Sequence, residues 1–240
     1  MAVTVFAPAK INLSLHVGAA RADGRHPLES VVVFADVGDV LRIEEGANAL
    51  EVTGPFAADL EGENLITRAL ALLGVSARVS LEKNLPVASG IGGGSADAAA
   101  AMIGVNDLLN LGFDRATLAR KSAALGADLP ACVLGRPALM TGAGETLSEI
   151  SLPDLHAVLV NPGVALSTVA VYREFDEQGG GAALSAGPRL ATCPRSFPRA
   201  PSPRAAGRRD RGPHAGAEHP REPQARGREG HEGPGRQERA

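Results

Sequence analysis

The stretch Pro86-Val87-Ala88-Ser89-Gly90-Ile91-Gly92-Gly93-Gly94-Ser95-Ala96 constrains this 240-residue chain more than any other. Before it, Arg78–Glu82 alternates like a strand. After it, an alanine-rich run from about Ser95 to Asn110 reads as a helix. Without a Cβ, glycine lets backbone N–H groups converge on an anion. A helix start adds unpaired amides and the positive end of a dipole. The pattern predicts a phosphate cradle; a flexible turn or a close helix–strand contact is the alternative. Two common phosphate loops are excluded by residues in view. A Walker A loop ends in Gly-Lys-Ser/Thr, and no lysine is present here. A dinucleotide fingerprint needs glycine where Ser95 stands, and a strand after the helix where a second helix begins at Asp114.

The rest of residues 1–189 gives strands first and a mixed region later, which predicts an α+β fold rather than regular βαβ alternation. Val3–Phe6, Ile11–Val17, Val31–Phe34, Leu41–Ile43 and Leu50–Val52 read as strands. Asn64 caps a helix over residues 65–73 that Gly74 ends. Asp114 starts another helix running to Gly126, with Phe113 and Leu118 as a hydrophobic staple. Two strands joined by a glycine turn are expected at Ala138–Thr141 and Thr146–Ile150, and a buried strand at Leu155–Val160.

Net charge is −3, but it divides into −8 over residues 1–189 and +5 over residues 190–240. The latter segment holds 11 Arg, 8 Pro and no Lys, with Leu190 and Phe197 as its large apolar residues. It has too little apolar surface to offset the entropy of ordering, so a disordered tail is expected over 183–240. Its composition is what GC-rich codons encode in a shifted frame, so a frame change near residues 183–190 is the favoured explanation. A natural disordered tail and an arginine-rich polyanion arm are the alternatives. The remainder shows no strongly basic nucleic-acid signature, no 18-residue apolar run and no secretory signal. Cys132 and Cys193 have no metal-type spacing, and no metal-ligating set is expected. A reducing cytoplasm is the expected compartment.

Two charged residues stand out. Lys10 lies in an apolar run, where a lysine finds a partner or loses its proton; an outward-facing edge lysine is the alternative. Asp128 follows Gly126 and precedes Pro130, which also fits a plain helix N-cap.

Pro86-x-x-x-Gly90-Ile91-Gly92, followed by small residues, resembles the second motif of the GHMP kinases, the galactose, homoserine, mevalonate and phosphomevalonate kinase superfamily. Ala7-Pro8-Ala9-Lys10-Ile11-Asn12-Leu13, Arg21-Ala22-Asp23-Gly24-Arg25-His26, Gly90 through Ala99 and Gly126-Ala127-Asp128-Leu129-Pro130 narrow the resemblance. They are similar to the branch that phosphorylates the 2-hydroxyl of 4-(cytidine 5′-diphospho)-2-C-methyl-D-erythritol in the non-mevalonate isoprenoid route. The similarity runs over about residues 3–176; each motif alone is moderately specific, and the four in order are highly so.

This resemblance implies a two-domain fold whose N-terminal ATP-binding domain, like ribosomal protein S5 domain 2, covers 1–150. Residues 151–182 would be a remnant of the C-terminal domain. It implies ATP and Mg2+, Asp128 as acceptor of the substrate hydroxyl proton, and Lys10 holding Asp128 ionised and stabilising charge in flight. Pro86–Ala96 would bind the nucleotide, with Ser95 as a metal or phosphate contact. Asn12, His26, Thr168 and Tyr172 would bind the cytidine diphosphate substrate, a small-molecule partner, with His26 and Tyr172 at the cytosine. Asn64 matches a family asparagine as well as a cap.

The sequence departs from the pattern twice. Arg25 stands where many relatives carry an aromatic residue, and a guanidinium can also stack on a base. Nothing after Tyr172 matches the third glycine-rich motif, since Gly179-Gly180-Gly181 comes too early. The chain is therefore expected to be poorly stable or inactive. A homoserine-kinase-like enzyme and a non-catalytic nucleotide-binding remnant with a polyanion-binding tail are the alternatives.

Overall fold

The computed structural model describes residues 1–60, 62–161, 167–182 and 184. The chain divides into two compact units, Met1–Leu190 and Ala191–Ala240, and the described residues all belong to the first. The expected tail lies almost wholly outside the described residues.

Two long strands carry the fold. β1 (Ala2–Val17) and β2 (Leu28–Glu45) pair antiparallel along nearly their whole length. Each joins two stretches that the sequence predicts as separate strands. β3 (Ala49–Thr53) runs parallel to β4 (Ala77–Glu82), which pairs with the far half of β2. β5 (Ala138–Thr141) pairs with the near half of β2, and β6 (Thr146–Glu149) with β5. The sheet order is β3-β4-β2-β5-β6, with β1 on β2. The expected α+β class is therefore what is seen.

Register explains which face is buried. Ile43 lies opposite Val79 and Leu41 opposite Leu81, and all four are buried. Their alternate neighbours, Arg42, Glu44 and Arg78, form ion pairs on the other face. The buried face receives α1 (Leu65–Leu73) and α2 (Gly93–Leu108). α3 (Arg115–Ser122) and α4 (Leu129–Leu134) pack beside α2. α1 has its expected caps: Asn64 Oδ1 accepts from the Ile66 N–H at 2.9 Å, and Gly74 is left-handed. α3 begins at the expected Asp114 cap but ends at Ser122, and turns carry the chain on to Gly126. α2 owes its close seat to small residues. Ala96 and Ala98–Ala101 are buried against the sheet, and a Cβ on Gly104 would lie 3.0 Å from Val5 Cγ2 and inside contact distance of Ile43 Cδ1.

The pairing of β1 with β2 is irregular where chemistry is expected. The register shifts between Pro8 and Lys10: Ala9 of β1 faces Ala35, Asp36 and Val37, so the extra residues lie in β2. Strict alternation from the buried Ala7 and Ala9 would turn Lys10 outward. Lys10 is nonetheless only 3% exposed, because Gly92 covers its stem and Asp128 meets its ammonium. Gly38 faces Pro8, and a Cβ there would lie 2.7 Å from Phe6 Cζ and inside contact distance of the Ala7 carbonyl oxygen.

One expectation fails. Leu155–Val160 is neither a strand nor buried: Val158 and Val160 are both 88% exposed. An apolar run becomes a buried strand only when a second layer covers it, and no described strand pairs with it. α5 (Thr168–Glu177) follows. No helix among the described residues is long and apolar enough to cross a membrane.

Candidate active site

Three of the four motifs meet near the middle of β1. Lys10 Nζ lies 3.2 Å from Asp128 Oδ1 and donates to Asn12 Oδ1 at 2.8 Å. Asn12 in turn donates to Ser30 Oγ at 2.6 Å, and Ser30 to the Ser14 carbonyl at 2.6 Å. This chain of bonds fixes the ammonium from the strand side. Asp128 opens α4 as its N-cap residue, but its side chain caps no backbone N–H. It reaches Lys10 instead, and at 42% exposure remains open to a ligand while Lys10 is buried. The simple-cap and edge-lysine alternatives are both set aside by this geometry.

The glycine loop rests on the same lysine. The Lys10 N–H donates to the Ile91 carbonyl at 2.9 Å, and a Cβ on Gly92 would meet Lys10 Cβ at 3.2 Å and Cε at 3.3 Å. Gly90 and Gly92 have positive φ (77° and 67°), as does Ala88 (53°). Gly92 is the N-cap of α2 and supplies no capping side chain, so Gly93, Gly94 and Ser95 open the helix with amides free for an anion. α2 begins at Gly93, two residues before its expected start at Ser95. Beside it opens a hollow of about 180 Å³ lined by Leu60, Gly62, Glu63, Asn64, Leu65, Gly94 and Asp97.

A second cluster forms where Arg21–Pro27 meets α5. Backbone bonds from Arg21 to Arg25 and from Gly18 to Pro27 close the loop, and Gly24 takes positive φ (75°). His26 Nε2 lies 2.8 Å from Asp176 Oδ1. Its ring is 4.9 Å from that of Tyr172 and 5.9 Å, edge-on, from Phe175. Burial raises the Tyr172 phenol pKa, and the Asp128 carboxylate raises it further, so the two clusters sense one another. Thr168 is exposed at the first residue of α5, and Arg25 is exposed beside His26. Cys132, one turn after Asp128, is a buried thiol pushed up to about 12, chiefly by burial and then by Asp128; that makes it an inert packing residue.

One buried cluster has no counterpart in the sequence reading. Lys83 Nζ pairs with Asp39 Oδ2 and, at 2.8 Å, with Asp97 Oδ2. All three side chains are buried. Asp97 stands in plain view inside the third motif, but nothing marks its partner 14 residues away or that partner's own partner 44 residues away.

Comparison with known proteins agrees with this geometry. Residues 64–136 match the model of the GHMP kinases N terminal domain. The chain is 52% identical over 170 residues to 4-diphosphocytidyl-2-C-methyl-D-erythritol kinase of Paracoccus denitrificans, covering 70% of this chain and 59% of the relative. It is 50% identical over 183 residues to the protein of the same name from Parvibaculum lavamentivorans, covering 72% and 63%. A crystal structure of 4-(cytidine 5′-diphospho)-2C-methyl-D-erythritol kinase superposes with a TM-score of 0.62 at 36% identity, covering 76% of this chain and 68% of that one. The chain belongs to this GHMP kinase family. A crystal structure of L. major mevalonate kinase shares the fold, with a TM-score of 0.53 at 16% identity over 74% of this chain and 62% of that one. The GHMP model spans α1 through α4, the helices that carry the glycine loop and Asp128. The chain spans roughly three fifths of the length of the curated family members it matches.

Proposed function

We propose that the chain transfers the terminal phosphoryl group of ATP to the 2-hydroxyl of 4-(cytidine 5′-diphospho)-2-C-methyl-D-erythritol, as the names of its relatives suggest. The observation that carries this reading is the 3.2 Å pair of a buried Lys10 and an open Asp128 beside a glycine loop at a helix start. In this reading the amides of Gly93, Gly94 and Ser95 hold the polyphosphate, and the hollow past Gly94 receives the base. Asp128 accepts the hydroxyl proton as the oxygen attacks the terminal phosphorus and the bond to the departing diphosphate breaks. Lys10, held by Asn12, places a fixed positive charge beside the reacting oxygens. His26 and Tyr172 face the cytosine, with Thr168 and Asn12 on the substrate's approach.

Magnesium, where bound with the polyphosphate, would supply charge neutralisation. The Ser95 hydroxyl and the open Asp128 carboxylate are hard oxygen donors suited to it. Cytoplasmic placement in a small-molecule biosynthetic route belongs to the same proposal, as does assignment of residues 151–182 to the start of a second domain.

The test is Asp128→Asn in a coupled ADP-release assay beside direct binding of a fluorescent ATP analogue. Turnover is expected to fall by at least about 100-fold, the usual worth of a general base. Nucleotide affinity should stay within about threefold of the parent chain. Normal turnover in the variant removes Asp128 from the reaction. Turnover with homoserine in place of the cytidine substrate would redirect the assignment within the superfamily.

A further inference from the structure

Beneath the glycine loop, three buried charges join three parts of the chain. Asp39 comes from β2, Lys83 from just past β4, and Asp97 from the second turn of α2. Asp39 Oδ1 also accepts the Asn84 N–H at 2.6 Å and the Leu85 N–H at 2.8 Å, the last two amides before Pro86. Asp97 lies two residues beyond Ser95. The cluster therefore grips the chain immediately before the loop and immediately after it. It also supports the loop from below: a Cβ on Gly93 would sit 3.1 Å from Lys83 Nζ. On its other side the loop rests on the Lys10 stem at Gly92. The loop is thus held between two buried lysines, with left-handed backbone at Ala88, Gly90 and Gly92 that its surroundings must maintain.

We propose that the Lys83–Asp39–Asp97 cluster is a positioning device that sets the shape of the glycine loop, so that nucleotide affinity depends on it although none of the three holds the polyphosphate. The inference rests on the reading of the loop as a nucleotide site. Stability alone is a poor account of the cluster, because a buried ion pair gains little over an apolar replacement of similar volume. One Asp97 oxygen, Oδ1, also has no hydrogen-bond partner among the described residues, and Asp97 forms part of the wall of the hollow beside the loop. Burial pushes Asp97 up to about 7, with Asp39 adding to the rise and Lys83 opposing it. Glu63 is the other carboxylate on that hollow.

The test compares the full chain with the uncharged variant Asp39→Asn/Lys83→Met/Asp97→Asn. This variant conserves volume, and the amide oxygen it places at position 39 can still accept both backbone bonds. Binding of a fluorescent ATP analogue and amide exchange are read together. The variant is expected to melt cooperatively and keep its β4 amides protected. Exchange should speed up at Gly90–Ser95, and the dissociation constant should rise at least about tenfold, the scale of a misplaced binding group. Asp39→Asn alone is the milder probe if the triple variant does not fold, with an expected rise of at least about threefold. Unchanged affinity and unchanged loop exchange in whichever of these variants folds would overturn the proposal. A parent chain that binds no ATP analogue would instead overturn the nucleotide reading beneath it.

Discussion

Lys10 shows how a single residue can defeat pattern reading and still be found. Alternation along β1 would send its side chain outward, and it is buried only because the glycine loop and Asp128 arrive from distant parts of the chain. Such contacts leave no periodic trace, so the motif, not the strand pattern, marked this lysine. Asp128 was marked in the same way, and local geometry gave it a cap position whose capping bond it does not make. Asp39 and Lys83 were illegible because their meaning is a contact between residues 44 apart. Asp97 carries a pH signature. Its native pKa of about 7 exceeds the value of 3.8 taken for an unperturbed aspartate, so the native state binds its proton more tightly than the unfolded chain does. Stability from this group is therefore fullest below about pH 4, falls as pH rises towards 7, and levels off above, by an amount on the order of a few kcal/mol. Asp97→Asn removes that slope. Thermal melts from about pH 5 to 8 should show the variant gaining on the parent chain as pH rises, and parallel curves would contradict the shift.

At the scale of elements, the strands and most helices of residues 1–150 were legible from periodicity or capping residues; α4, buried at Leu129–Val133, shows no solvated face and was not. What the pattern missed was continuity. Val3–Phe6 and Ile11–Val17 are one strand, as are Val31–Phe34 and Leu41–Ile43, and each pair runs on through the irregular pairing between them. Leu155–Val160 was misread for the opposite reason: its apolar content describes a layer that the described residues do not supply. Asn64 has two readings that can be separated. Its side chain caps α1 and also lines the hollow beside Gly94. Asn64→Ala should lower stability by about 1 kcal/mol through the lost cap, measured by denaturant unfolding. Asn64→Asp keeps the cap, so any loss of nucleotide affinity in that variant, read by direct binding, reports the hollow alone.

Across the whole molecule, the sheet and its helices form a closed core, whereas the segment after β6 does not join it. Leu155, Val158, Leu159 and Val160 are exposed in sequence, and Leu13 and Leu15 of β1 are about half exposed. Exposed apolar surface of this kind promotes association. The 240-residue chain should therefore bind a hydrophobic dye and sediment as concentration-dependent oligomers. Charged substitutions at Val158 and Val160 should reduce both effects, and a dye-silent monomer would show that this surface is covered in solution. The placement of the four site motifs was legible only because each is short and rigidly seated; how the aromatic pair on α5 meets His26 was not, since nothing local to either segment encodes it.

The alanines of α2 give that helix the role of a spacer of fixed thickness. A helix of 16 residues is a stiff rod about 24 Å long. It lies on the sheet at Gly104, and its first amides open the glycine-loop end. Bulk added under the middle of such a rod works as a wedge, and the far tip moves most. In the proposed reaction, the gap between a nucleotide's last phosphate and the Asp128 carboxylate would thus be governed in part by residues that meet neither.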